Sequence, residues 1–351
     1  MIRIGVNALY LIPGGVGGTE IYLRNLLRAL AEIDAVNQYV VFINRETGAD
    51  LVPDRPNFVA AKQSVNAAFR PARILWEQLA LPSAIRKHRI EVLLNPGFTA
   101  PLLCGCRMVT VFHDLQHKRH PEYFRWFDLP FWNFFLWSAA RRSRGLIAVS
   151  QATADDLMRY YGRSAQVIHH GVERRFFEIS QHREPQDYIL CVSTTHPHKN
   201  LQRLLQVHAE MAHAPRLVIT GVRGFAASEI ESLASSSVEL TGWIPREQLY
   251  ELFRGALGFI YPSTFEGFGM PVLEAMATGV PVACSDIPPL REIAASTVHF
   301  FDPASDREIR DALLLLASGA ISTDAAQRRA TEFTWEKTAR ATLDYLSKCS
   351  S

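Results

Sequence analysis

Two doubly wound α/β domains are the architecture this sequence predicts, on three observations. Short β-branched apolar runs alternate with amphipathic segments along the whole chain. Its 351 residues are too many for one core, and two domains of about 150–180 residues are the natural division. The alternation lapses in the polar stretch ERRFFEISQHREPQD, 173–187, so the hinge is expected there. The expected domains are 1–175 and 185–332.

In the first half IRIGVNA (2–8), YVVFIN (39–44), EVLLN (91–95), RMVTVF (107–112) and GLIAVS (145–150) read as buried strands. TEIYLRNLLRALAEI (19–33) and ARILWEQLALPSAIRKH (72–88) read as helices between them. The second half repeats the scheme with YILCVS (188–193), RLVITG (216–221), VELTG (238–242), LGFIYPS (257–263), VPVACS (280–285) and VHFFDP (298–303). Such alternation argues for parallel sheets covered on both faces. Open parallel sheets bind ligands beyond the carboxyl ends of their strands, so two of them face to face would put a site in the cleft between.

Composition narrows the class. Hydrophobic content of 48% with 21% charged residues describes a soluble globular protein. No run reaches 18 apolar residues, so no membrane span is expected. The opening MIRIGVNALYLIP has too short an apolar run for a signal peptide and reads as a first strand. Five cysteines, with Cys104 and Cys106 close together but no CxxC, read as reduced thiols of a cytosolic protein. The net charge is +2, but residues 1–180 carry 22 Lys/Arg against 15 Asp/Glu, and residues 181–351 carry 15 against 20. A basic half joined to an acidic half suggests different partners, unless the asymmetry is chance. No nucleic-acid partner is expected.

The candidate site residues fall at strand ends. PGGVGGTE (13–20) follows the first strand and opens a helix, so Gly17 and Gly18 suit close backbone approach to a ligand phosphate or to an acceptor. A plain tight turn is the alternative. Its spacing is not G-x-G-x-x-G, which counts against a dinucleotide. VTVFHDL (109–115) places His113 where a sugar hydroxyl or the reacting centre could meet it, or where a core histidine could simply be capped. Lys199 follows the strand YILCVS and is a point charge suited to a phosphate. Arg223, in GVRG after the next strand, is a second possible clamp.

The densest cluster is YPSTFEGFGMPVLEAMATG, 261–279, in which Glu266 and Glu274 bracket the turn Gly267–Phe268–Gly269. The amides of that turn and the following helix N-terminus point at an anion. Glu274 lies about one turn inside the helix, and Glu266 approaches from the strand end. One carboxylate can accept from the vicinal hydroxyls of a ribose while the other meets hydroxyls of a transferred group.

This constellation resembles the Glu-x(7)-Glu signature of family 4 glycosyltransferases, retaining enzymes of the GT-B fold. GGVGGTEIYLRNLL, VTVFHDL, GLIAVSQATADDL, VIHHGV, HKNLQRLL, the run from VELTG to PPLREI and the final FTWEKTARATLDYL stand in that family's order, so the resemblance covers nearly the whole chain. It implies a nucleotide-sugar donor on the C-terminal domain and an acceptor on the N-terminal one. It also implies a last helix, 333–347, that crosses back onto the N-terminal domain. Carried onto this sequence, it puts Glu274 on the donor ribose and Glu266 on the donor sugar. Lys199 and the amides of Gly267, Phe268 and Gly269 would hold the diphosphate, with Gly242, Trp243 and Ile244 beside the base and His113 near the anomeric carbon. Many members carry an arginine near the lysine; here those places hold Thr194 and His198, and Arg223 is the candidate replacement.

No Asp-x-Asp occurs in the chain, so the expectation is catalysis without metal or other cofactor. Lys199, Arg223 and the 267–271 helix start would offset the charge growing on the leaving diphosphate. The family implies retention, and with no evident nucleophile a front-face reaction is expected. GDP-mannose is the first candidate donor, ahead of UDP- and dTDP-sugars, and the acceptor a saccharide, free or lipid-linked. Nine of residues 123–137 are aromatic, within a segment 117–145 rich in arginine. That suits peripheral contact with an anionic membrane, or else an aromatic helix in the core. Rival readings are a GT-B epimerase or phosphorylase, a non-catalytic nucleotide-sugar binder and a Rossmann dehydrogenase.

Overall fold

The computed structural model describes residues 1–14 and 17–350. The chain divides into two compact units, Met1–Gly171 with Thr334–Ser351, and Val172–Phe333.

In the first unit, strands β1 (Arg3–Asn7), β2 (Gln38–Ile43), β3 (Phe58–Lys62), β4 (Val92–Asn95), β5 (Arg107–Phe112), β6 (Gly145–Ala148) and β7 (Gln166–Val167) form one sheet. Their order is β3-β2-β1-β4-β5-β6-β7, and every neighbouring pair is parallel. β4 and β6 are buried along their whole length, which is why they read as unbroken apolar runs. Helix Gly18–Ile33 buries Leu23, Leu26, Leu27 and Leu30 at helical spacing. The last helix, Trp335–Ser350, packs on it and against β4 and β5.

The second unit holds β8 (Ile189–Val192), β9 (Leu217–Thr220), β10 (Val238–Gly242), β11 (Gly258–Tyr261), β12 (Val282–Ser285) and β13 (His299–Phe301). The order is β10-β9-β8-β11-β12-β13, again all parallel. Ile189, Leu204, Leu217, Ile219, Ile260 and Leu313 are among the residues of its core. In each sheet the winding reverses once, between β1 and β4 and between β8 and β11. Ligands of doubly wound sheets sit at the carboxyl ends of such strand pairs.

Three local features differ from the sequence reading. The helix expected over 72–88 is two, Arg70–Leu79 and Leu81–Lys87, because Pro82 stands in the first turn of the second and cannot sit inside one continuous helix. β3 was not anticipated; it is an edge strand with exposed Val59, Ala60 and Lys62, so its apolar signal is weak. The division falls at Gly171–Val172 and at Phe333–Thr334, whereas the hinge was expected at 173–187. Those polar residues belong to the second unit, where Phe176 is buried edge-on against Tyr250 and Phe253. Among the described residues no helix is long and apolar enough to cross a membrane.

Candidate active site

Two loops meet at the winding reversal of the second sheet. After β8 the chain makes a tight turn, Pro197–Lys199, and Asn200 adopts a left-handed conformation (φ 57°) before helix Leu201–Ala209 begins. After β11, the Thr264 amide donates to the His198 carbonyl at 2.8 Å. Ser263 Oγ donates to the same carbonyl at 3.1 Å. These bonds lace the loops together and set Lys199 opposite Glu266. Lys199 Nζ lies 2.6 Å from Glu266 Oε1 and 3.2 Å from the Tyr261 hydroxyl. Burial by itself would raise the Glu266 carboxyl, but the Lys199 ammonium outweighs it and holds that carboxyl below its ordinary value.

Beyond Glu266 the backbone turns through Gly267, Phe268 and Gly269 into helix Met270–Ala277. Phe268 is buried edge-on against Phe333, 6.2 Å between ring centres. Gly269 has φ +106°, and a Cβ there would lie 2.3 Å from Leu290 Cδ2, so no other residue fits this turn without displacing the packing. Glu274 follows on the helix, buried. Burial raises its carboxyl above the ordinary range, and Arg246 partly offsets that.

Arg246 was not singled out from the sequence. Its Nη2 donates to Glu274 Oε1 at 2.8 Å and to Glu173 Oε1 at 2.7 Å. The guanidinium lies over Phe176 at 4.8 Å, and the Tyr250 hydroxyl also donates to Glu173, at 2.8 Å. The two signature glutamates therefore each have a cation, Lys199 for Glu266 and Arg246 for Glu274. Arg246 reads locally as an ordinary first-turn residue of helix Arg246–Gly255; only the sheet brings it to Glu274.

Other anticipated residues lie apart from this cluster. Arg223 is committed to an ion pair with Glu231 on the exposed surface. Gly242 ends β10, and its carbonyl accepts from the Gly221 amide at 2.9 Å. Trp243 beside it is exposed, and Ile244 follows in the same loop.

The remaining anticipated residues belong to the first unit. His113 is buried at the end of β5, and its Nε2–H donates to the Pro96 carbonyl at 2.9 Å. Tyr22, Phe98 and His170 surround the ring at 5.0, 5.3 and 5.4 Å between centres. Burial lowers its pKa to about 4 even though the Pro96 bond opposes the shift, so the imidazole is neutral at physiological pH. Gly17 immediately precedes helix Gly18–Ile33, and Glu20 in its first turn accepts from the Gly14 amide at 2.8 Å. Gly15 and Val16 of the glycine-rich stretch lie outside the described residues.

Two doubly wound parallel sheets, one carrying paired cations and carboxylates at its winding reversal, define the GT-B class of transferase. Residues 172–333 match the model of glycosyl transferases group 1, and residues 16–176 that of glycosyltransferase family 4. The chain is 27% identical to O-antigen chain mannosyltransferase B of Escherichia coli, over 78% of this chain and 77% of that one. It is 26% identical to O-antigen chain mannosyltransferase RfbU of Salmonella typhimurium, over 88% and 89%. Among solved structures, Anabaena HepE in complex with UDP-glucose superimposes with a TM-score of 0.76 at 18% identity, over 99% of this chain and 100% of that one. The chain belongs to glycosyltransferase family 4, and it is a glycosyltransferase.

Proposed function

We propose that this enzyme moves a hexosyl group, mannosyl from GDP-mannose in the first instance, onto a saccharide or lipid-linked saccharide, with retention of configuration and without a metal. The observation that carries the reading is the Lys199–Glu266 pair at 2.6 Å. In the free protein the two charges neutralise each other. An arriving diphosphate competes for Lys199, a compact cation suited to phosphate, and frees the Glu266 oxygens to accept from sugar hydroxyls. Glu274, held by Arg246, accepts from the ribose. The amides of Gly267, Phe268 and Gly269 add hydrogen-bond donors to the diphosphate clamp. The mannosyl choice rests on the names of the two O-antigen relatives, and the nucleotide-sugar choice also on the UDP-glucose held by the structural neighbour.

In the transfer the bond from the anomeric carbon to the diphosphate oxygen breaks while the acceptor oxygen bonds to the same face. The departing phosphate takes the acceptor's proton. Charge grows on the leaving group, and preorganised cations and amides are what lower that barrier. His113 is neutral and has Nε2–H committed to Pro96, which leaves Nδ1 to accept from an acceptor hydroxyl. Exposed Trp126, Phe127, Phe134 and Trp137, close in sequence to Arg125, Arg141 and Arg142, suit peripheral contact of the first unit with an anionic membrane.

The test supplies GDP-mannose, UDP-glucose and dTDP-rhamnose in turn with an α-mannoside acceptor, in EDTA, and reads the product's anomeric configuration by proton NMR. An α-linked product from GDP-mannose in EDTA is expected. Donor hydrolysis or isomerisation that ignores the acceptor would move the assignment to an epimerase, and a need for inorganic phosphate to a phosphorylase.

A further inference from the structure

The first sheet has its own polar centre, and none of the roles above uses it. Where its winding reverses, β1 ends in Asn7 and β4 in Asn95, both buried. Asn7 Nδ2 donates to Asn95 Oδ1 at 3.1 Å and to Glu77 Oε2 at 3.2 Å. Glu77, from helix Arg70–Leu79, is only 1% exposed. Its Oε2 also accepts from Thr99 Oγ1 at 2.9 Å, and its Oε1 from Gln78 Nε2 at 3.3 Å. Both carboxylate oxygens are thus engaged.

Arg73 stands one turn earlier on that helix and is 9% exposed. Its Nε is buried with no hydrogen-bond partner. The charged and titratable groups in its field are Glu77, Arg70 and Tyr10. Arg70 is itself a cation, paired loosely with Asp128 at 3.8 Å. A buried guanidinium without a bonded counter-ion is costly, and folded proteins rarely keep one.

The surrounding backbone has been shaped to the same place. Gly97, just after β4, admits the Tyr10 ring so closely that a Cβ there would lie 2.3 Å from it. Phe98 next to it holds a left-handed backbone, φ 69°, the kind of strain that folds retain at ligand sites.

We infer that Arg73 anchors an oxyanion, a phosphate or carboxylate carried by the acceptor, at the carboxyl edge of β1 and β4. The planar fork of a guanidinium is made for such a group. Glu77 offsets part of the Arg73 charge through space, while Asn7 and Thr99 hold its own carboxylate. The choice of the acceptor as bearer of the anion rests on the proposed function; the anion site itself rests on this geometry alone.

Urea denaturation of the full chain tests it, in inorganic phosphate, in glucuronate and in chloride at matched ionic strength. A Lys199→Met background removes the phosphate response of the second unit. Phosphate or glucuronate should raise the midpoint, as any ligand of the folded state must; which of the two acts tells a phosphate-bearing acceptor from an acidic sugar. Arg73→Gln should abolish that rise, and in chloride it should unfold at the same or higher urea, since it removes a buried charge whose Nε has no bonded partner. Arg73→Lys should keep part of the response. A midpoint indifferent to both anions, a response that survives Arg73→Gln, or an Arg73→Gln variant destabilised in chloride would overturn the inference. The GDP response of the Lys199-intact protein is read alongside: its loss indicts the donor reading, and its persistence without an anion response indicts Arg73 alone.

Discussion

Arg246 Nη2 donates to Glu274 Oε1 across 2.8 Å, although 28 residues separate them in the chain. The bond orients the carboxylate that is proposed to hold the donor ribose. Glu274 sits on a helix whose other surfaces are packed away, so without Arg246 its carboxyl would be buried and unpaired.

Replacing Arg246 with alanine should therefore cost stability and donor affinity together. Removing one member of a buried pair costs about 3–5 kcal/mol. Arg246 and Glu173 remain partly exposed, so about 1–3 kcal/mol is expected here. Urea denaturation checks that figure, and calorimetric titration with GDP-mannose should show affinity lower by roughly tenfold. Full stability with normal affinity would remove Arg246 from the site.

Lys199 and Glu266 should separate binding from turnover. Lys199→Met leaves Glu266 buried without its cation, so nucleoside diphosphate should bind at least roughly tenfold more weakly. Glu266→Gln keeps the shape and should depress kcat more than donor affinity. Equal effects of the two variants on KM and kcat would contradict their distinct roles.

Acid should loosen the first unit. The folded pKa of His113 is lowered to about 4 from an ordinary 6.5, chiefly by burial. The folded state then holds fewer protons than the unfolded one between those values. Stability is complete above pH 6.5 and is lost as the pH falls toward 4. His117, lowered to about 4 by burial and by Lys118, adds in the same direction. The contribution of His113 is on the order of 1–3 kcal/mol, and melting curves of His113→Gln should show a shallower fall across that window.

Gly269→Ala should damage both folding and turnover. Alanine would have to hold φ +106° against Leu290, a strain of about 1–3 kcal/mol. Any relaxation moves the 267–269 amides, so kcat should fall even in the fraction that folds. Activity equal to the parent's would show that the turn is not held in register for the diphosphate.

Much of this was legible from residue order. Every strand read from an apolar run is present, because a doubly covered parallel strand must be apolar throughout. β3 and the two-residue β7 escaped, one exposed on an edge and the other too short to carry a pattern. The Glu266 turn was visible because its glycines, proline and carboxylates crowd into a dozen residues. Arg246 was not, since its partners Glu173 and Glu274 come from distant segments and no local periodicity marks it. Arg73 lay inside a helix that reads as merely amphipathic; only burial without a partner sets it apart.

The most direct test of the central claim is a thermal-shift series with GDP, UDP, dTDP, ADP and NAD, each with and without EDTA, on the parent protein and on Lys199→Met. A ligand of the folded state must raise the melting temperature. A rise is expected with one nucleoside diphosphate, GDP first, unchanged by EDTA and largely lost in Lys199→Met. A response to NAD alone, or one that appears only with metal present, would contradict it.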